Sequence, residues 1–129
     1  MILFQKPYLT LELVESSGLL IQHWKGFATS QQFREGIEKS IEVFQKGKAD
    51  KLISDTKEAA VVKREDTDWV ANIATPKLVQ HGLRGMAFVL PTSAFTKISV
   101  GNFQSRADEI LKIQNFDNLD KAKEWLNSI

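Results

Sequence analysis

Two histidines, His23 and His81, are the side chains here best suited to moving protons near neutral pH, and nothing close to either in the chain supplies a catalytic partner. No paired spacing of the His-Glu-x-x-His kind is present, so a metal site would need Asp or Glu ligands converging from separate segments. His23 reads instead as a polar position on a strand, and His81 as a cation near a helix C-terminus. The chain has no cysteine, which removes thiol nucleophiles, thiolate metal sites and disulfides together. No Gly-rich loop follows a strand and no Gly-x-Ser-x-Gly elbow occurs, so a phosphate cradle, a dinucleotide site and a serine nucleophile are not expected. What remains are the carboxylates Asp55, Glu58, Glu65, Asp66 and Asp68. They fall near strand ends and helix starts, where α/β sheets bind ligands and where capping also places acidic residues. The expectation is a non-enzymatic protein with no metal and no cofactor.

The elements that must position these residues are legible from hydrophobic spacing. In Tyr8 to Val14, Leu9, Leu11 and Leu13 alternate with polar residues, the period of a half-buried strand. Glu15-Ser16-Ser17-Gly18 supplies a turn before the apolar run Leu19 to Trp24, so the two runs predict an antiparallel hairpin. Phe33, Ile37, Ile41 and Phe44 then form one helical stripe, with a capping box at Thr29 and Gln32 and a terminating glycine at Gly47. Lys51 to Asp55 predicts a short strand reached by a parallel crossover.

Residues Thr56 to Arg64 show no clean period and read as a loop, with a short extended piece at Ala60 to Val62. A second helix is expected to start at Asp66-Thr67-Asp68, to carry Trp69, Val70 and Ile73 on its apolar face, to be kinked or broken by Pro76, and to stop at His81-Gly82. Met86 to Leu90 is a continuous apolar run, which predicts a strand covered on both faces in the middle of the sheet. Thr92-Ser93 would cap a short helix carrying Phe95 and Ile98, Ile110 to Phe116 reads as a fifth strand, and Asp117-Asn118 would cap a last helix facing inward through Leu119, Ala122, Trp125 and Leu126. The fold class expected is α/β: a mixed five-stranded sheet with an N-terminal antiparallel hairpin and about four helices.

The 129 residues suffice for one domain with its own core, and no repeat, linker or low-complexity stretch divides them. Hydrophobic residues make up 43% and charged residues 26%, a globular profile. Seventeen basic and sixteen acidic residues are mixed along the chain, with no basic patch to invite nucleic acid. Neither a leader nor an apolar run of membrane-spanning length is found, which points to the cytoplasm.

Several stretches carry a family resemblance: Trp24-Lys25-Gly26-Phe27, Leu52-Ile53-Ser54-Asp55-Thr56, Gly82 to Pro91, and Asn115 to Leu126. Together with the element order they make the chain similar to the STAS and SpoIIAA-like proteins, in particular the small stand-alone bacterial members. The likeness spans nearly the whole chain and consists of strand cores and helix ends. It implies a mixed sheet with packed helices and a regulatory role through protein partners. Anti-anti-sigma members carry a phosphorylatable Ser or Thr after an Asp at a helix start, and Asp66-Thr67 sits at a comparable place, so the resemblance implies Thr67 as the corresponding residue. The usual Ser-Gly continuation is replaced here by Asp68-Trp69, and a longer loop precedes it.

A regulatory or partner-binding surface is therefore expected where the strand ending at Asp55 meets the loop from Thr56 through Glu65 and the helix starting near Thr67, with Asp55, Thr56, Asp66 and Thr67 as its residues. The expected partner is a protein, with a homodimer and a small apolar ligand or lipid as further candidates. Phe95 and Phe103 would contribute an apolar patch if exposed. A closed core favours a protein-interaction domain; a deep apolar pocket with convergent polar groups favours a ligand binder.

Overall fold

The computed structural model of the chain describes residues 1–60, 62–90 and 112–129. Strands β1 (Ile2–Lys6), β2 (Leu9–Val14), β3 (Leu19–Gly26), β4 (Lys51–Ala59), β5 (Gly85–Val89) and β6 (Lys112–Phe116) form one sheet in the order β1-β2-β3-β4-β5-β6. β2 pairs antiparallel with both β1 and β3, and β3 to β6 run parallel. The predicted hairpin is β2–β3, closed by a tight helical turn at Glu15–Ser17 and by Gly18 at φ 65°, which needs a residue free of a Cβ penalty. The mixed sheet is as expected, but it has six strands, not five: Ile2–Lys6 joins as an edge, mostly exposed and without the alternation that would mark a strand in sequence. The expected run Met86 to Leu90 corresponds to β5 (Gly85–Val89), buried at every position, with Leu90 just past its end and half-buried; the strand lies between β4 and the β6 edge instead of at the centre.

Helix α1 (Ser30–Gln45) starts at the expected capping box, where Thr29 accepts from the Gln32 amide and the Gln32 side chain accepts from the Thr29 amide. Ile37, Ile41 and Phe44 are buried, while Phe33 is half-buried against Trp24, ring centroids 5.0 Å apart. Gly36 brings the helix axis close to the sheet: a Cβ there would run into Leu9 and Trp24.

The second helical stretch differs from expectation. Helix α2 (Arg64–Trp69) begins two residues before Asp66 and passes through a π-turn (Val70–Ala74) into α3 (Thr75–Gln80). The Thr75 amide reaches back five residues to Val70, and Pro76 follows at once. A proline ring would clash with the carbonyl four residues earlier in a regular helix, and the wider π-turn removes that clash. The cost is a change of phase: Val70, Ala71 and Ala74 face inward, and Ile73, expected on the apolar face, is exposed.

Helix α4 (Leu119–Asn127), capped by Asn118 accepting from the Lys121 amide, covers the opposite face of β4, β5 and β6. The helices thus bury two cores, one under α1 to α3 built on Leu11, Leu20, Leu52 and Met86, the other under α4 built on Ile21, Ile53, Ala87 and Val89. The helix expected after Pro91, with Phe95, Phe103 and the start of the predicted fifth strand, lies outside the described residues.

Candidate functional site

Strand β4 runs four residues past its expected end. Asp55 pairs with His23 but Glu58 pairs with Lys25, so β4 carries one residue more than β3 across this interval. At the bulge the Asp55 carboxylate accepts from the Lys57 amide at 3.1 Å, which gives the amide of the inserted stretch a local partner.

Strand alternation sends the expected site residues to opposite faces. Asp55 projects to the α4 side of the sheet, with Oδ2 3.5 Å from Nδ1 of His23; Nε2 of the same ring lies 3.1 Å from Glu12. The hydrogen bond that His23 donates to Asp55 holds the imidazole above its ordinary pKa of 6.5, burial opposes this, and Glu12 adds to it. For Asp55, burial pushes the pKa up, yet the His23 hydrogen bond and the Lys57 amide outweigh it and leave the carboxyl below its ordinary 3.8. Both ring nitrogens are committed, so His23 forms a clasp across β2, β3 and β4 and is not placed as a free general base.

The other three expected residues come together on the α1 side, where Thr56, Asp66 and Thr67 line one cavity of about 90 Å³. Thr56 donates to the Val89 carbonyl at 2.9 Å, and Thr67 to the Arg64 carbonyl at 2.8 Å. Asp66, 3% exposed, accepts from Ser30 Oγ at 2.8 Å and from Arg34 Nε at 3.2 Å; the Arg34 guanidinium lies 5.0 Å from the Trp69 ring centroid. The cavity extends from the middle of β3 and β4, beside Met86 and Phe88 of β5, toward the C-terminal ends of β3 and β4, the side on which parallel sheets take ligands.

The rest of the wall went unread in the sequence. Trp24, Phe33, Ile37, Met86 and Phe88 make it apolar, and Phe27, 66% exposed, and Lys63 stand at its rim. Two polar side chains interrupt the apolar surface. Gln22 accepts from Trp24 Nε1 at 3.1 Å and donates to Ser40 Oγ at 2.9 Å. Ser54, 5% exposed, lines the cavity with a neutral hydroxyl. A signal for both existed: Gln22 and Ser54 stand in phase with Leu20, Trp24 and Leu52, where a one-face strand should be apolar.

No group of three or more His, Asp or Glu side chains able to hold a metal ion occurs among the described residues. No helix of the described residues is long and apolar enough to cross a membrane.

The strand order and the helices on its two faces define an α/β protein of the SpoIIAA-like fold. No family model matches the chain, and no curated protein does. Among solved structures, the anti-sigma factor antagonist SpoIIAA in its unphosphorylated form is similar to it with a TM-score of 0.69, over 94% of this chain and 97% of that one, at 13% sequence identity. A likeness at that identity establishes the fold that the sequence resemblance implied.

Proposed function

We propose that this chain is a non-enzymatic binding domain of regulatory type whose working site is the cavity bounded by β3, β4, α1 and α2. The observation that carries this reading is the joint placement of Gln22, Ser54, Thr56, Asp66 and Thr67 on one wall of a cavity otherwise lined by Trp24, Phe33, Ile37, Met86 and Phe88: a few convergent polar groups in an apolar setting. Polar groups facing an apolar cavity orient a ligand by hydrogen bonding while the apolar wall supplies the contact area. Thr56, Asp66 and Thr67 shape the same wall. Mass spectrometry of the protein isolated under native conditions from its own cytoplasm should detect a bound small molecule, lost when Ala59→Trp fills the rim. An equal yield from the filled variant would remove the cavity from the function.

A second reading, action through a protein partner, is favoured by the likeness to an anti-sigma factor antagonist. Here Asp55, Thr56, Asp66 and Thr67 frame a partner surface at the end of β4 and the start of α2. Thr67 is buried and its hydroxyl donates to Arg64, so a kinase would have to open α2 before modifying it. A pull-down in which Phe27→Ser releases a protein, without changing the small molecules bound, would favour this reading over the first.

A further inference from the structure

We propose that the cavity takes a small uncharged aliphatic molecule with one hydroxyl or carbonyl oxygen, and that this oxygen lies against Ser54 and Gln22. The inference rests on the cavity being a ligand site, and it follows from the chemistry of the wall.

The polar groups that β3 and β4 present to the cavity at Gln22 and Ser54 are neutral. Ser54 offers a hydroxyl that can donate or accept. Gln22 has its carbonyl on Trp24 and one amide hydrogen on Ser40, leaving a second amide hydrogen. A ligand oxygen can satisfy both. An anionic head would be stripped of water beside the buried Asp66 carboxylate, and the cation nearest that carboxylate, Arg34, is already bound to it. Lys63 at the rim offers a carboxylate only an exposed and screened partner, and an acid bound that way would point its tail at the Ser54 hydroxyl. Size narrows the class further: the cavity, about 90 Å³, admits only a small molecule, and Trp24, Phe33, Met86 and Phe88 supply the apolar contact that a short aliphatic chain needs on its way to the rim at Phe27 and Lys63.

The experiment is a pair of titrations of the full chain at neutral pH, with 1-hexanol and with hexanoate, followed by amide shifts in ¹H–¹⁵N spectra. Hexanol should shift the amides of Gln22, Ser54 and Phe88 saturably, and hexanoate should bind at least about tenfold more weakly, the equivalent of 1.4 kcal/mol. Ser54→Ala should weaken hexanol binding by about three- to tenfold, the size of one neutral hydrogen bond, without altering the melting temperature. Hexanoate binding as tightly as hexanol and losing its affinity in Lys63→Gln would overturn the proposed ligand class and leave the cavity as a ligand site. Unchanged hexanol affinity in Ser54→Ala would overturn the placement of the oxygen. If neither compound moves those amides in a folded wild-type spectrum, the ligand-site reading falls along with the ligand class.

Discussion

On the α4 side of the sheet, Leu19, Ile21, Ile53, Ala87 and Val89 meet Ala122 and Leu126, and Lys51 at the margin is the buried polar side chain of that face. On the α1 side, positions of equal burial hold Gln22, Ser40, Ser54 and Thr56, with Asp66 packed above them. Both faces belong to the same strands and were equally available for apolar side chains. A core that only had to be stable would gain nothing from four such residues, because each needs a hydrogen bond to offset its lost hydration. Both faces hold the sheet, the α1 side with the larger core, and under the proposed function the polar positions of the α1 side are the ones left for binding.

The contrast can be broken most forcefully at its apolar anchors. Leu126→Ala under α4 and Ile41→Ala under α1 should each cost about 2 to 5 kcal/mol in urea titration. A loss below about 0.5 kcal/mol at either site would mean that face is not a core. Next in size is the charged pair: Arg34→Met leaves the buried Asp66 carboxylate with Ser30 alone and should cost about 1.5 to 3 kcal/mol. Adding Asp66→Asn should recover part of that loss, and no recovery would show that Arg34 acts by packing on Trp69.

A smaller effect is expected from the polar clasp, and its sign is set by the two shifts. The raised His23 contributes stability that is complete below about pH 6.5 and is lost as pH rises through its folded value. The lowered Asp55 contributes stability present above about pH 4 and lost as pH falls through its folded value. The stability difference between wild type and His23→Gln should therefore be largest between about pH 4 and 6.5. Urea titrations at pH 5 and 9 that show the difference growing with pH would refute the clasp. The smallest change sharpens the contrast within one strand: Thr56→Val, which loses the bond to Val89, should cost about 1 kcal/mol, whereas Ser54→Ala should stay within about 0.5 kcal/mol.

Elements with a strict period and marked ends were readable in advance. The hairpin, α1 with its capping box and α4 with its Asn118 cap lie where spacing put them. Strand β1 was not legible, because an exposed edge strand needs no alternation. The end of β4 was hidden by its own bulge, which breaks the period of two after Asp55. The turn at Val70–Ala74 was hidden because a helix that changes hydrogen-bond spacing moves its apolar face without changing composition. Of the four residues expected at the working surface, three line one cavity and Asp55 does not, since neighbours on a strand point to opposite faces. Gln22 and Ser54 escaped notice because a polar residue inside an apolar run reads as an interruption until its phase is compared with the strand beside it.

The extra residue in β4 also bears on how such a chain can change over generations. The pairs Lys25 with Glu58 and Gly26 with Ala59 are already in step beyond the bulge. Loss of the Lys57 codon would leave them in step, since the ladder would simply close over the gap. What would change is the bend of the strand, and with it the direction in which Ala59, Ala60 and Lys63 approach the rim. One codon gained or lost is thus expected to reshape the opening while every buried residue of the sheet stays as it is, giving descendants of this gene a way to alter what they admit without rebuilding what holds them together.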